Sequence, residues 1–418
     1  MTRKMKDSGI EWIGEIPEDW EVVRNKNIFN RKKEIIENEW KNTQLLSLTT
    51  KGIIKKDISI LEGKLPESFS TYQFVNKGDL VLCLFDLDMS AVFNGYCQYD
   101  GMISPAYKRY VLKAEGDLRY YNYLFDFIFD KRKYKIYSTT LRFTLDNQEF
   151  DRIPTIKPNL KQQIEIANFL DRKTKQIEDI KNTINNEIET IENYKKSVIT
   201  EAVTKGLDKN VEMKDSGIEW IGEIPEHWSI SRIKYLTTSR SEKGNLSDTN
   251  KYIGLENVES KTGKYIKTDT DYIDAVYDQC KKGDLLYGKL RPNLNKVLIS
   301  PFDASCTGEF EIIKESTIDK KWLYYYFLTP GFTNIVNSST FGAKMPRASW
   351  TFIENIKIAY PNDSEMQEIV SYIDSISNVT DVAICSKQKQ LEVLEEYKKS
   401  LIYEYVTGKK EVKDGEET

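Results

Sequence analysis

The residues best suited to recognising another molecule lie in the stretch 288–296, with the sequence GKLRPNLNK. This stretch follows a short apolar run that predicts a β-strand, and it interleaves cations with amides. Arginine and lysine pair with guanine O6 and N7, and asparagine pairs with adenine N6 and N7. The pattern predicts a loop that reads base edges in DNA, with a solvated loop as the alternative. The residues concerned are Lys289, Arg291, Asn293, Asn295 and Lys296.

A second candidate region carries Lys344 and Arg347 near Gly342, and its counterpart in the first half of the chain carries Arg142. Small residues and a glycine allow the backbone to approach phosphates closely. The cations can then make charge-assisted contacts that position a protein on DNA without reading its sequence. We expect phosphate contact or a structural role here, with equal weight.

The densest basic run of the first half is Lys131-Arg132-Lys133-Tyr134-Lys135, in which Lys131, Arg132 and Lys133 are the candidate contacts. It predicts phosphate contacts that weaken with salt, unless it is a solvated helix end. Where the second half has its basic loop, the first half has Asp86 and Asp88. An aspartate can accept a hydrogen bond from cytosine N4, although solvent-facing acids near a turn are more common.

The sequence lacks the motifs of the catalytic chemistry that acts on DNA. An adenine methyltransferase needs an Asn/Asp-Pro-Pro-aromatic loop and an ATP-driven motor needs a loop ending in GK[ST], and neither string occurs. The single histidine, His227, has Asp19 as its counterpart in the first half, so a catalytic pair would use a residue that the first half lacks. The five cysteines show no CxxC pair. Asp171-Arg172-Lys173 resembles part of a nuclease metal site, but it lies on a predicted long helix without an evident upstream partner. We therefore predict no catalytic residue and no metal site, and interpret the chain as a non-enzyme.

The elements that position these residues are duplicated along the chain. MKDSGIEWIGEIPEDW, from Met5 to Trp20, returns at Met213 to Trp228 with one change, from Asp19 to His227. A repeat this long predicts two complete domains rather than the units of a solenoid. The middles of the two copies diverge, which indicates a constant frame around variable inserts.

Each copy ends in a long predicted helix, for which Asn159, or Asn362 with Asp363, can serve as the N-cap. From Leu160 to Lys205 there is no proline or glycine, and apolar residues recur at every seventh position. We call this apolar stripe along the helix the seam. A second helix with a weaker seam follows from about Asp363 to Thr407. We predict that the two helices pair antiparallel with each other and also bind a partner. Their seam residues are Leu170, Ile177, Ile184 and Ile191 in the first helix and Ile373, Leu394 and Leu401 in the second.

The fold class that follows is α+β, with two tandemly duplicated α/β domains separated by two long helices that pair as an antiparallel coiled coil. The predicted ranges are 1–157 and 208–361 for the recognition domains, 158–207 and 362–410 for the helices, and 411–418 for a disordered tail. No run of eighteen apolar residues and no apolar signal core occurs, so we expect a cytoplasmic protein. The formal charge is −4, so any DNA contact must depend on local basic patches.

The duplicated leading segment KDSGIEWIGEIPEDW, the variable insert and the helix-start motifs QQIEIANFLD and EMQEIVSYID resemble the specificity subunits of Type I restriction-modification systems. The resemblance covers essentially the whole chain. It implies that each insert is a target recognition domain for one half of a split DNA sequence, and that the helices form a spacer. It also implies two copies of a modification subunit that carries S-adenosylmethionine and methylates adenine, and restriction subunits that use ATP and Mg²⁺, with no cofactor on this chain. The alternatives are a protein-interaction scaffold without a DNA role, and a self-contained DNA methyltransferase or nuclease.

Overall fold

The computed structural model describes residues 3–57, 68–90, 92–268, 273, 275–342 and 344–413. The chain divides into two compact units, of which unit 1 comprises Met1–Ile184 with Lys389–Thr418 and unit 2 comprises Asn185–Gln388. Each unit therefore contains one part of each long helix. The predicted domain ranges remain a prediction, and residues 414–418 of the predicted tail lie outside the described residues.

Unit 1 contains two mixed or antiparallel sheets, with strand orders β6-β5-β10-β7 and β4-β11-β8-β9, and two strand pairs, β1-β2 and β3-β12. In chain order its elements are β1 (Met5–Asp7), β2 (Glu15–Pro17), β3 (Glu21–Arg24), α1 (Asn25–Ile28), β4 (Phe29–Lys32), a 3₁₀ helix (Glu37–Asn42), β5 (Leu45–Thr49), β6 (Gly52–Lys56), β7 (Gln73–Val75), β8 (Leu80–Leu82), β9 (Asn94–Tyr96), β10 (Gly101–Ile103), β11 (Lys108–Leu112), α2 (Leu118–Asp130), a 3₁₀ helix (Lys133–Tyr137), α3 (Asn147–Arg152), β12 (Pro154–Lys157) and the first part of α4 (Leu160–Lys205).

Unit 2 repeats this plan, with sheets β16-β23-β20-β21 and β17-β19-β22-β18 and the pairs β13-β14 and β15-β24. After the end of α4 its elements are β13 (Met213–Asp215), β14 (Glu223–Pro225), β15 (Ser229–Arg232), α5 (Ile233–Leu236), β16 (Thr237–Ser239), β17 (Lys243–Asn245), α6 (Leu246–Thr249), β18 (Tyr252–Ile253), a 3₁₀ helix (Leu255–Asn257), β19 (Val276–Cys280), β20 (Leu285–Gly288), a 3₁₀ helix (Pro292–Leu294), β21 (Val297–Ile299), β22 (Ala304–Cys306), β23 (Phe310–Ser316), α7 (Lys320–Leu328), α8 (Pro330–Ser338), α9 (Trp350–Ile353), β24 (Lys357–Tyr360) and the first part of α10 (Asp363–Val406).

One buried strand separates two apolar cores in each unit. Leu80 and Leu82 of β8 lie in one core and Val81 lies in the other, because alternate side chains of a strand point to opposite faces. Leu285 and Leu286 of β20 divide between two cores in the same way. The candidate loops follow directly after these two strands, so a rigid strand fixes where each loop begins.

The long helices begin at the predicted caps. The side chain of Asn159 accepts a hydrogen bond from the backbone N–H of Gln162 at 3.0 Å, and that of Asn362 accepts from Glu365 at 3.1 Å. These bonds satisfy N–H groups that have no partner within the first turn of a helix. The N-cap prediction is confirmed at both helices.

Within each unit the two helices run antiparallel. In unit 1 the rings of Phe169 and Tyr405 lie 4.3 Å apart, and further along α4 the side chains of Glu178 and Lys398 form an ion pair at 2.9 Å. In unit 2, Glu187 pairs with Lys387, and Lys195 pairs with Asp381 at 2.9 Å. Residues further along α4 thus contact residues nearer the start of α10. The predicted α+β fold with two long antiparallel helices is confirmed.

The duplicated leading segments pack against the cores. Trp20 and Trp228 are fully buried, and each packs near a glycine that follows a long helix, Gly408 in unit 1 and Gly206 in unit 2. The two segments differ only at Asp19 and His227, and the helix residues that contact these two positions differ as well. Asp19 accepts a hydrogen bond from Gln162, whereas His227 bonds to the carboxylate of Glu365. His227 therefore has a structural partner.

We expect Trp228→Ala to lower the free energy of unfolding by about 3–5 kcal/mol, because the substitution leaves a cavity and removes a hydrogen bond from the indole N–H to Glu365. Chemical denaturation of the purified chain measures this. Tyr235, which is 68% exposed, provides the control, since Tyr235→Ala should change that free energy by no more than about 0.5 kcal/mol. Equal effects of the two substitutions would contradict the packing described.

Candidate nucleic-acid interface

In unit 2 the structure brings two of the predicted regions together. The backbone N–H of Arg291 donates to the carbonyl of Pro346 at 2.7 Å, and that of Ala348 donates to Lys289 at 3.0 Å. Leu290 and Arg347 form an isolated β-bridge. We call residues 289–296 together with 339–342 and 344–348 the second loop cluster.

The predicted residues of this cluster separate into exposed and engaged groups. Arg291, Asn293, Lys344 and Arg347 are exposed. Arg347 also contacts the carboxylate of Glu309 at 3.1 Å. The exposed group presents three cations and one amide to solvent, as a DNA-contacting surface requires.

The remaining three predicted residues are held inside the unit. Asn295 is only 5% exposed, and its amide donates to the carbonyl of Phe327 and to Thr333. Lys289 forms an ion pair with Glu311 at 3.2 Å, and the two side chains are 17% and 16% exposed. Lys296 donates to the carbonyl of Leu255 at 2.6 Å, and burial lowers its pKa. These three residues are not in the proposed DNA-contacting set, because the amide nitrogen of Asn295 and both lysine ammonium groups already have partners within the unit.

An equivalent cluster forms in unit 1. The backbone N–H of Asp86 donates to the hydroxyl of Thr144 at 3.1 Å, and that of Leu145 donates to the carbonyl of Leu84 at 2.7 Å. The buried hydroxyl of Tyr134 donates to the carbonyl of Leu87 at 2.9 Å. We call residues 84–90 together with 131–145 the first loop cluster. It unites the acidic turn, the basic run and the stretch around Arg142.

The side chains of the first loop cluster carry both charges. Arg132 and Lys135 pair with Asp88 at 3.2 and 2.6 Å, and these cations hold the pKa of that carboxyl below its usual value. Lys131 is exposed and lies 3.5 Å from Asp130, whereas Lys133 is half-buried. Arg142 is exposed and has no hydrogen bond or ion pair with any described residue.

Two features here could not be found from the sequence. Lys135 belongs to the predicted basic run, but its ion pair with Asp88 depends on a turn about 47 residues earlier in the chain. Leu141 is fully exposed beside Arg142 at the loop surface. No periodic pattern marks an exposed leucine in a loop, so no sequence signal could have found it.

The repeated KGDL motif belongs to the frame. The carboxylate of Asp79 accepts from the backbone of Asn76 and pairs with Arg109 at 2.6 Å. In unit 2, Asp284 accepts from Lys281 and pairs with Arg240 at 2.8 Å. Each motif therefore fixes the turn before the central strand, and through that strand it fixes the start of the loop cluster.

Comparison with known proteins agrees with the duplicated architecture. Residues 225–395 match the family model described as the Type I restriction modification DNA specificity domain. The chain is 26% identical to the Type I restriction enzyme MjaVIII specificity subunit of Methanocaldococcus jannaschii, over 96% of this chain and 95% of that protein. It is 24% identical to the EcoDI specificity subunit of Escherichia coli, over 54% of this chain and 55% of that protein. The chain belongs to the Type I restriction-modification specificity subunits.

The fold agrees with this family. A solved chain from a study of complex assembly and conformational transition of the type I R-M system superposes with a TM-score of 0.66 at 12% identity, covering 94% of this chain and 99% of that chain. At this identity the likeness concerns the fold alone. It shows that the arrangement of secondary structure described above recurs in a type I system.

The seam residues of this specificity subunit face inward. Leu170, Ile177, Ile184, Ile373 and Leu401 are at least 93% buried, and Ile191 and Leu394 are half-buried. Six other apolar residues of the helices are about half exposed or more, namely Ile180, Val393 and Tyr397 in unit 1 and Tyr194, Val379 and Val382 in unit 2. Any partner would therefore meet this second set.

In the part of the chain that the structure describes, no group of three or more histidine, cysteine, aspartate or glutamate side chains is placed to hold a metal ion. No helix among the described residues is both long enough and apolar enough to cross a membrane.

Proposed function

We propose that this specificity subunit reads a split DNA sequence, one half with each loop cluster. The observation that supports this most strongly is the equivalence of the clusters. Each follows the buried central strand of its unit, and each exposes cations. Each is also closed by an equivalent backbone hydrogen bond, from Leu145 to Leu84 in unit 1 and from Ala348 to Lys289 in unit 2. The two clusters differ in the side chains they expose, as is expected if they recognise different half-sites.

The exposed cations have a role that does not depend on sequence. Lys344 and Arg142 are exposed, and neither has an acidic partner among the residues described. Such groups neutralise phosphates and set the position of the protein on the duplex. The overall charge of −4 then matters little, because binding depends on these local sites.

We further propose that α4 and α10 act as the spacer between the half-sites and as the docking surface for two modification subunits. The exposed apolar residues of the helices support this, because they are not all isolated. Val379 and Val382, and likewise Val393 and Tyr397, lie three or four residues apart and so are neighbours on one face of α10, and adjoining exposed apolar side chains mark interaction sites. S-adenosylmethionine would be held by the modification subunits, and ATP and Mg²⁺ by restriction subunits. The chain would therefore act in the cytoplasm, where DNA and these cofactors are found.

The test is binding of the complex of this chain with its modification subunit to duplex DNA at several salt concentrations. We expect tight binding to target DNA, with an affinity that decreases linearly with salt on logarithmic axes. Binding that is independent of salt would contradict the proposed phosphate contacts. Complex formation without DNA retention would favour a protein-interaction scaffold instead.

Lys344→Ala should weaken this binding about equally for all DNA sequences and reduce the magnitude of the salt slope by about 0.9 for the phosphate contact that is lost. Fluorescence anisotropy with a target and a scrambled duplex measures both quantities. Lys214→Ala is the control, because this lysine already donates to the carbonyl of Trp228 at 2.8 Å and should leave the slope unchanged. A loss confined to the target duplex would instead assign Lys344 to base reading.

A further inference from the structure

Two residues at equivalent positions of the loop clusters share a rare backbone conformation. Asp86 and Arg291 each lie seven residues after the aspartate of the KGDL motif. Both have a φ of +49°. This left-handed region is unfavourable for residues with a Cβ atom and is freely available to glycine.

The backbone of both residues is held from two sides. The N–H of Asp86 donates to Thr144, and its carbonyl accepts from Met89 at 3.1 Å and from Ser90 at 2.9 Å. The N–H of Arg291 donates to Pro346, and its carbonyl accepts from Leu294 at 2.9 Å. The surrounding structure thus imposes the same conformation on both residues.

Their side chains, in contrast, are left without partners. The guanidinium of Arg291 is exposed and makes no hydrogen bond or ion pair within the described ranges. The carboxylate of Asp86 is half-buried and likewise accepts no hydrogen bond from a described residue. A side chain that is fixed at its backbone and free at its polar end is suited to binding an external group, and strained residues often mark such sites.

The opposite charges of the two residues limit what that group can be. A phosphate would attract Arg291 and repel Asp86, so phosphate contact cannot be a role that the two positions share. Base edges in the major groove present both acceptors and donors. Guanine O6 and N7 accept from arginine, and cytosine N4 donates to a carboxylate.

We infer that Asp86 and Arg291 are equivalent base-reading residues, with Asp86 accepting from the exocyclic amine of a cytosine in one half-site and Arg291 donating to a guanine in the other. The inference rests on the proposed function, since it assigns bases to the loop clusters. It assigns one specified base pair of each half to one side chain.

Glycine substitutions test this without adding backbone strain. In the complex with the modification subunit, Arg291→Gly should make one guanine position of one half-site degenerate, and Asp86→Gly should do the same at one cytosine position of the other half. The expected loss of discrimination at each position is about 5- to 150-fold. Methylation of all variant sequences, measured by single-molecule sequencing of host DNA, gives the base preference at every position.

A third variant makes the test directional. Asp86→Asn preserves tolerance of the left-handed conformation but adds donors, and asparagine pairs with adenine N6 and N7. We expect the preference at that position to change from cytosine towards adenine. Asn250→Gly is the control for glycine at a positive φ, because Asn250 has a φ of +51° outside both clusters.

Degeneracy at one position in each half, with the Asn250→Gly motif unchanged, supports the inference. If the wild type gives a split motif and both glycine variants retain that motif in full, the inference is overturned and the proposed function stays intact. Degeneracy of both variants in the same half would overturn the equivalence of the two residues. Absence of a split motif in the wild type would overturn the proposed function together with the inference.

Discussion

Exchange of the first insert should replace one half of the recognised DNA sequence and leave the other half intact. Residues 31–154 of this chain would be replaced by the corresponding insert of another specificity subunit whose target differs. Asn30 and Thr155 would be kept at the junctions. All of the first loop cluster lies within this range, whereas the second loop cluster belongs to unit 2. Because each half-site would be read by its own cluster, the change should affect only one half.

Methylation mapping of DNA modified by the chimeric complex measures the outcome. The matched control is Asp19→His, which gives unit 1 the same leading segment as unit 2. Asp19 bonds to Gln162 at the helix start and lies outside the loop cluster, so the control should retain the original target. An unchanged target in the chimera, or a change in both halves, would contradict the proposal that the loop cluster of each unit recognises one half-site.

Lengthening both long helices by one heptad should widen the gap between the half-sites by about three base pairs. Seven residues add about 10 Å of helix at 1.5 Å per residue, and base pairs of DNA are about 3.4 Å apart. One heptad would be inserted after Ile184 in α4 and one after Gln388 in α10, at the junction between the two units. A whole heptad retains the seam positions of the antiparallel pair.

The half-site sequences themselves should stay as they are, because neither loop cluster is altered. A variant in which seven exposed residues near the junction are substituted without insertion provides the control and should retain the original gap. A heptad inserted in α4 alone should instead destabilise the pair, since Lys195 and Asp381 could no longer meet while Glu178 and Lys398 do. An unchanged gap in the variant with both insertions would contradict the proposal that the two helices act as the spacer.

Much of the frame could be predicted from the sequence because it is encoded locally or by repetition. The heptad of apolar residues predicts the buried seam that includes Leu170 and Ile177, and Asn159 predicts the cap. Lys387 occupies a polar seam position, and the structure explains it by an ion pair with Glu187. Each of these depends on neighbours within a few turns of helix or on a recognisable repeat.

The loop clusters could be predicted only in part, because they depend on contacts between distant segments. The hydrogen bond from Arg291 to Pro346 joins residues 55 positions apart. Asn293 and Asn295 look alike in the sequence, yet Asn293 is exposed and Asn295 is buried beneath α7 and α8. Burial of the second amide results from the packing of two helices that follow later in the chain, so residue type alone could not separate the two.

The most direct measurement of the central claim is the distribution of methylated adenines in a genome in which this chain and its modification subunit are expressed together. The structure leads us to expect one split motif with a fixed gap, present with both chains and absent when this chain is omitted. A motif that persists without this chain, or a continuous motif with no gap, would contradict the proposal that two equivalent loop clusters read the two halves of the target.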